Sequence, residues 1–304
     1  MTRRYHLVRA VEVAASPALE GRSAGYSRAP LVGVETGAVH MALGLSTLSA
    51  AGHVDLHVHS YEESFFVLAG EPCLHLDGHA VRLRPGACGV IPVGMRHAWR
   101  QETGGESRWV DMAAPRPRDG TQPPDTFFVG PAPATEPAGL DVRDPRNRHL
   151  FVLSDGDMDL DLLKQGAKVS APTVSASMAT AVLAYSGIAV KMLVDKRLDA
   201  QLSTMFMVDY QPGAVAHPHD HPFEESYFML DGVVDVVADG DRHTLEPGDV
   251  FWTGVGCIHA FYETRGVRVR WLETSAPQPP DRHSYRFERD WDYLAERLSQ
   301  DVAR

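Results

Sequence analysis

A chain of 304 residues with 44% hydrophobic content is long enough for two ordinary domains, each burying its own core. A formal net charge of -11 leaves no basic surface for a phosphate backbone, so nucleic acid is not an expected partner and a small-molecule substrate is. The only cysteines, Cys73, Cys88 and Cys257, make no disulfide framework, and no apolar run approaches the roughly 20 residues of a membrane helix. Arg3 and Arg4 open the chain, but Arg9, Glu12 and Glu20 interrupt the next stretch before an apolar signal core can form. The cytoplasm is the expected location, with no membrane partner.

In chain order, residues 1–34 read as an N-terminal arm. Residues 35–112 are short β-branched and aromatic runs punctuated by Gly, Pro and Asp-Gly, as where Leu74–Asp77 turns at Gly78. Residues 113–178 begin as a Pro- and Ala-rich linker, and a short helix is predicted over Asp157–Gln165. The β pattern returns over 179–275. It opens with a predicted hairpin of Ala179–Tyr185 and Ile188–Val194 around Ser186-Gly187, and turns again at Asp239-Gly240. Residues 276–304 form a tail. Its stretch from Asp290 to about Val302 has a helical rhythm, with Trp291, Leu294, Ala295 and Leu298 on one face. The pattern is all-β and duplicated, with a short C-terminal helix.

The duplication is visible in the chemistry. His57, His59, Glu63 and His97 recur as His219, His221, Glu225 and His259, each pair 162 positions apart, and Gly70, Gly86 and Gly94 recur as Gly232, Gly248 and Gly256. Side chains on a strand alternate faces, so His57, His59 and Glu63 share one side, as do His219, His221 and Glu225, while Glu62 and Glu224 face away. His97 and His259 come after the turns at Pro85-Gly86 and Pro247-Gly248, which bring a second hairpin over the first. Three imidazoles and a carboxylate suit Fe(II), Mn(II), Ni(II), Cu(II) or Zn(II), one ion per repeat, with a coordination position left open. By the same parity Phe65, Val67, Met95 and Trp99 line the first pocket, and Tyr227, Met229, Cys257 and Phe261 the second. Core packing explains these residues equally well. His53 and His217 share the ligand parity and are read as alternative ligands, substrate contacts or rim residues. Arg96, Arg108, Arg268 and Arg270 are the nearest candidates for holding a carboxylate, with solvated surface the better reading.

The segment Gly213 to Gly232, GAVAHPHDHPFEESYFMLDG, matches the first cupin motif, G-x5-H-x-H-x3-E-x6-G, at every defined position. Gly248 to Glu263 resembles the second motif, G-x5-P-x-G-x2-H-x3-N, with Gly254 for the proline and Glu263 for the asparagine. In the first repeat Gly52 stands one residue too close to His57, and Gly86, Pro92, Gly94 and His97 match the second motif, with Gln101 at its last position. These departures fall outside the ligands and bear on strand ends. The resemblance covers roughly residues 35–112 and 197–273. It implies two tandem double-stranded β-helix, or jelly-roll, barrels.

The same resemblance, to quercetin-dioxygenase-type cupins, implies a metal-dependent oxidoreductase of the dioxygenase type, favours Fe(II) or Mn(II), and makes Glu63 or Glu225 both ligand and proton acceptor. One alternative is a Mn(II)-dependent decarboxylase, hydrolase or isomerase, since oxalate decarboxylases also carry the full set twice. Another is a non-catalytic metal- or small-molecule-binding cupin, although storage and sugar-binding cupins typically lose the ligands kept here. Cupin barrels commonly pair through their sheets; here an internal pair could satisfy that need, and a further homodimer is compatible with it.

Overall fold

The computed structural model describes residues 4–102, 104–118, 125–160, 186–278, 286–287, 296 and 299–300. The first half of the predicted hairpin, most of the predicted helix over Asp157–Gln165 and nearly all of the helical tail lie outside the described residues. What is described of them is a 3-10 turn at Asp155–Met158 and the strand Ile188–Val194. No helix among the described residues is long and apolar enough to cross a membrane.

Each repeat folds into a curled β structure. In the first, the long strand Ala42–His59 pairs antiparallel with Ser107–Ala114, His97–Arg100 and Ser23–Val32, and Glu62–Ala69 pairs with Ser107–Ala114 and Ala87–Ile91. In the second, the equivalent of that long strand is divided into Thr204–Tyr210 and Val215–Asp220 at Gln211-Pro212-Gly213, where Pro212 has no N–H to give a ladder. The second barrel therefore separates into a six-stranded and a five-stranded sheet, while the first remains one continuous twelve-stranded ladder. The hairpins at Asp77-Gly78 and Asp239-Gly240 form as predicted. Positive φ at all four residues, 46° and 87°, then 48° and 93°, gives the twist a two-residue hairpin needs.

Composition and ladder divide the chain differently. The segment read as an arm supplies a strand to each barrel: Ser23–Val32 joins the first, and Tyr5–Val8 crosses to pair with Val250–Thr253 of the second. The linker likewise contributes Thr126–Gly130, on Ala42–His59, and Leu150–Val152, on Ala87–Ile91. Tyr5–Val8 and Leu150–Val152 cover sheet edges that would otherwise present unpaired backbone. Buried Asp249 anchors the first crossing by accepting from Arg9 Nη1 at 2.8 Å, Ala10 N at 2.9 Å and Glu246 N at 3.0 Å. Asp249→Ala strands these donors and is expected to cost about 2–4 kcal/mol, read as a lower thermal midpoint.

The apolar core has three clusters. One fills the first barrel around Phe65, Leu74, Trp99 and Trp109, and one fills the second around Tyr227, Phe251, Phe261 and Trp271. The third lies between the barrels, where Met41, Leu43, Phe66, Val110 and Met112 meet Leu193, Met205, Met207, Phe228 and Leu272. The barrels are thus packed back to back.

Candidate metal centres

In the first barrel His57 stands opposite His97 in the ladder, and His59 and Glu63 lie on either side of the turn between adjoining strands. Strand alternation aims all four into the barrel. His57 Nδ1 donates to the Asp55 carbonyl at 2.6 Å and His97 Nδ1 to the Met95 carbonyl at 3.0 Å, while His59 Nδ1 lies 3.3 Å from Thr126 Oγ1. An imidazole whose Nδ1–H is held by a carbonyl presents Nε2 as a lone pair. Nε2 of His59 and Nε2 of His97 are buried without a hydrogen-bond partner. Glu63 Oε2 lies 2.9 Å from the first and 4.0 Å from the second.

The second barrel repeats this. His219 Nδ1 donates to the His217 carbonyl at 2.6 Å and His259 Nδ1 to the Cys257 carbonyl at 2.9 Å. Glu225 Oε2 is 3.1 Å from His221 Nε2 and 3.7 Å from His259 Nε2. Within each triad the candidate ligand atoms lie within 4.8 Å of one another. Burial lowers the pKa of His57, His59, His97, His219 and His259, to about 4 for His219, and in the last four a neighbouring imidazole pushes the same way. The rings are therefore neutral at pH 7, as ligands must be. Burial, assisted by Asp111, raises Glu63 to about 7, and burial raises Glu225; a cation at the centre would reverse both shifts. Converging neutral nitrogens, two of them orphaned, beside a carboxylate fit a divalent transition ion.

The acidic neighbours behave as parity requires. Glu62 accepts from Gln201 N at 2.7 Å, Leu202 N at 3.2 Å and Ser203 Oγ at 2.6 Å, and Glu224 from Val39 N at 2.7 Å and His40 N at 3.0 Å. They clasp the opposite barrel and touch neither triad. His53 is turned outward beside Asp55, and it is the backbone of His217, not its ring, that orients His219. The motif departures are accommodated at strand ends. Glu263 accepts from the backbone N–H groups of Gly213, Arg265 and Gly266, and Gln101 Oε1 from Ser107 Oγ.

Where the centres differ is the space above them. The first opens into a cavity of about 670 Å³ lined by Tyr26, Arg28, Tyr61, Trp99, Trp109 and Phe128 among others. Among the described residues the space at the second is about 40 Å³. Of the residues expected to line the first pocket only Trp99 does; Phe65 and Val67 belong to the core beneath, and Met95 packs against it. In the second, Tyr227 and Phe261 line the small space, while Met229 and Cys257 are core, the Cys257 thiol pushed up to about 12 by burial. None of Arg96, Arg108, Arg268 and Arg270 lines either space; they pair with Asp77, Glu106 and Asp209.

Two arginines from the N-terminal arm line the cavity, Arg22, 5.5 Å from the centre of the Phe128 ring, and Arg28. The Arg28 guanidinium lies against Gly44, where a Cβ would collide with it, and donates to Asp111 Oδ1 at 2.8 Å and 2.5 Å. Asp111 Oδ2 in turn accepts from Ser46 Oγ at 2.6 Å. Period-two alternation of Tyr26, Arg28 and Pro30 carries a signal of a lining strand, but nothing in the sequence says which sheet the arm joins. Phe128, 5.3 Å from the His57 ring, arrives from the linker.

The model of the cupin domain matches residues 44–113 and again 206–275, the segments that carry the two triads. The chain carries two cupin domains. A Streptomyces cyaneus relative described as polyketide synthase CurC is 33% identical over 92 residues, 30% of this chain; the match spans 60% of that protein's length. Among solved structures, the bicupin resembles salicylate 1,2-dioxygenase from Pseudaminobacter salicylatoxidans at TM-score 0.67 and 16% identity, over 90% of this chain and 84% of that one. It resembles the oxalate decarboxylase of Lactobacillus farciminis at TM-score 0.64 and 15% identity, over 98% and 92% of the two chains. It also resembles a putative glyoxylate induced protein from Pseudomonas aeruginosa at TM-score 0.63 and 19% identity, over 93% and 91%. At these identities the likeness is one of fold.

Because a metal binds the folded cupin sites and not the unfolded chain, loading is expected to stabilise it. At a concentration near 100 times Kd the gain is about 3 kcal/mol per site. Melting curves of chelator-treated protein with and without added Mn(II) or Fe(II) measure it.

Proposed function

We propose that this bicupin is a metal-dependent oxidoreductase of the dioxygenase type, acting in its first barrel on a small oxygenated aromatic or enolic substrate. The observation that carries this reading is the cavity of about 670 Å³ lined by His57, His59 and Glu63, a volume within the usual range of small-molecule sites. A divalent ion there, Fe(II) by preference and Mn(II) as the second choice, would supply Lewis acidity and exchangeable positions for substrate oxygens.

The rest belongs to the chain's own residues. Trp99 and Trp109 stack with centroids 4.5 Å apart and planes 19° apart, and Tyr26 continues the stack at 6.2 Å. They make a flat wall for a planar substrate. Arg28 places a cationic edge on the same cavity, and Asp111 fixes its orientation. Glu63, whose side chain is 13% exposed against 1% for Glu225, sits at the cavity floor as both candidate ligand and proton acceptor. Three buried, unpaired cysteines support a reducing compartment, hence the cytoplasm. The salicylate 1,2-dioxygenase likeness puts aromatic hydroxy acids first among compounds to try.

The deciding experiment is oxygen uptake by Fe(II)- and Mn(II)-reconstituted protein over a panel of phenols, enols and keto acids. Uptake matched to substrate loss is the expected result. Substrate loss without uptake would establish the non-oxidative decarboxylase or hydrolase class instead, and neither loss nor uptake across the panel would favour a binding protein. Arg28→Met is expected to raise KM for an anionic substrate by roughly 10- to 100-fold with a smaller change in kcat, as for loss of a binding contact.

A further inference from the structure

The 162-residue offset places Tyr227 where the first barrel has Phe65, in equivalent registers. Phe65 stands opposite Gly89 and Asp111, and Tyr227 opposite Phe251 and Glu273. The single added oxygen is aimed at the second centre. Tyr227, 2% exposed, donates its hydroxyl to Glu225 Oε2 at 2.6 Å, and the same oxygen lies 2.9 Å from His259 Nε2. Two donor atoms about 2.1 Å from a shared ion and at right angles across it stand about 3 Å apart. The hydroxyl keeps close to that spacing from two candidate ligands at once. Phe261 and Trp271 pack against the Tyr227 ring, and with Tyr210 they line the space, about 40 Å³ among the described residues, where the first barrel has its cavity.

We propose that the Tyr227 hydroxyl occupies the coordination position that the first centre leaves facing its cavity, so that the second centre is a closed metal site that holds an ion but admits no exogenous ligand. The inference rests on both triads being metal centres and is independent of the reaction proposed for the first barrel. Phe65 and Tyr227 are then the residues that set the two centres apart, although each centre carries the same four candidate ligands, three histidines and a glutamate.

Ferrous iron and nitric oxide are the probes. Full-length His97→Ala, in which only the second triad is intact, and His259→Ala, in which only the first is, would be loaded with Fe(II) without oxygen, assayed for iron and exposed to nitric oxide. His259→Ala should give the high-spin ferrous-nitrosyl EPR signal. His97→Ala should hold iron and give none, and His97→Ala/Tyr227→Phe should gain the signal, since only the blocking oxygen has been removed. A full signal per iron in His97→Ala, no iron in that variant, or silence in the Tyr227→Phe double variant would each overturn the proposal. Should the histidine variants fail to fold, the wild-type chain is expected to give the signal from half of its iron and Tyr227→Phe from all of it; equal signals would overturn it. An absence of oxygen uptake, which would defeat the proposed reaction, moves none of these readings.

Discussion

His97→Ala is expected to release one of two bound ions per chain and to lower turnover by at least about 100-fold, because it removes a ligand and not merely a residue supporting one. His97 is completely buried, its Nδ1 is committed to the Met95 carbonyl, and its Nε2 has no partner but the centre. Truncation there leaves the other two imidazoles in place and opens the coordination shell. Metal analysis and turnover are the readouts, with circular dichroism to show that the barrels persist. The same change at His259 should release the other ion and cost turnover far less, since among the described residues the space on that triad is about 40 Å³. Equal losses of turnover from the two variants would contradict the assignment of the reaction to the first barrel.

The second large effect is on stability. Glu62, 1% exposed, accepts from the backbone of Gln201 and Leu202 and from the Ser203 hydroxyl, so Glu62→Ala leaves two backbone donors without this acceptor and the Ser203 hydroxyl with Ser64 alone at the seam between the barrels. Stranding buried donors of a charged acceptor is expected to cost about 3–5 kcal/mol, a fall in thermal midpoint on the order of 10 °C. Metal content per folded chain should not change. Glu63→Ala should show the converse, with weakened metal binding and a smaller change in stability. That pair of measurements tests whether adjacent glutamates divide the work as alternation along the strand requires, one inward to the centre and one outward to the partner barrel.

That division was legible in the sequence. So were the duplication, the two hairpin turns and the eight candidate ligands, because each depends on local rules: period-two alternation, the positive φ that Asp-Gly accepts, and a fixed offset between repeats. The role of the outward glutamates was not. Glu62 and Glu224 find their donors 139 and 185 positions away, across a packing interface that no local pattern encodes.

The opening segment shows the same limit. Its alternation reads as strand, yet only the ladder reveals that Ser23–Val32 brings Tyr26 and Arg28 to the first cavity while Tyr5–Val8 closes an edge of the second barrel. Two matched sets of candidate ligands, and the residues that compose them, were readable without the fold. Only the tertiary structure decided that one set faces a cavity and the other a tyrosine hydroxyl, because open space is set by side chains that distant strands bring together, and no residue carries that information alone.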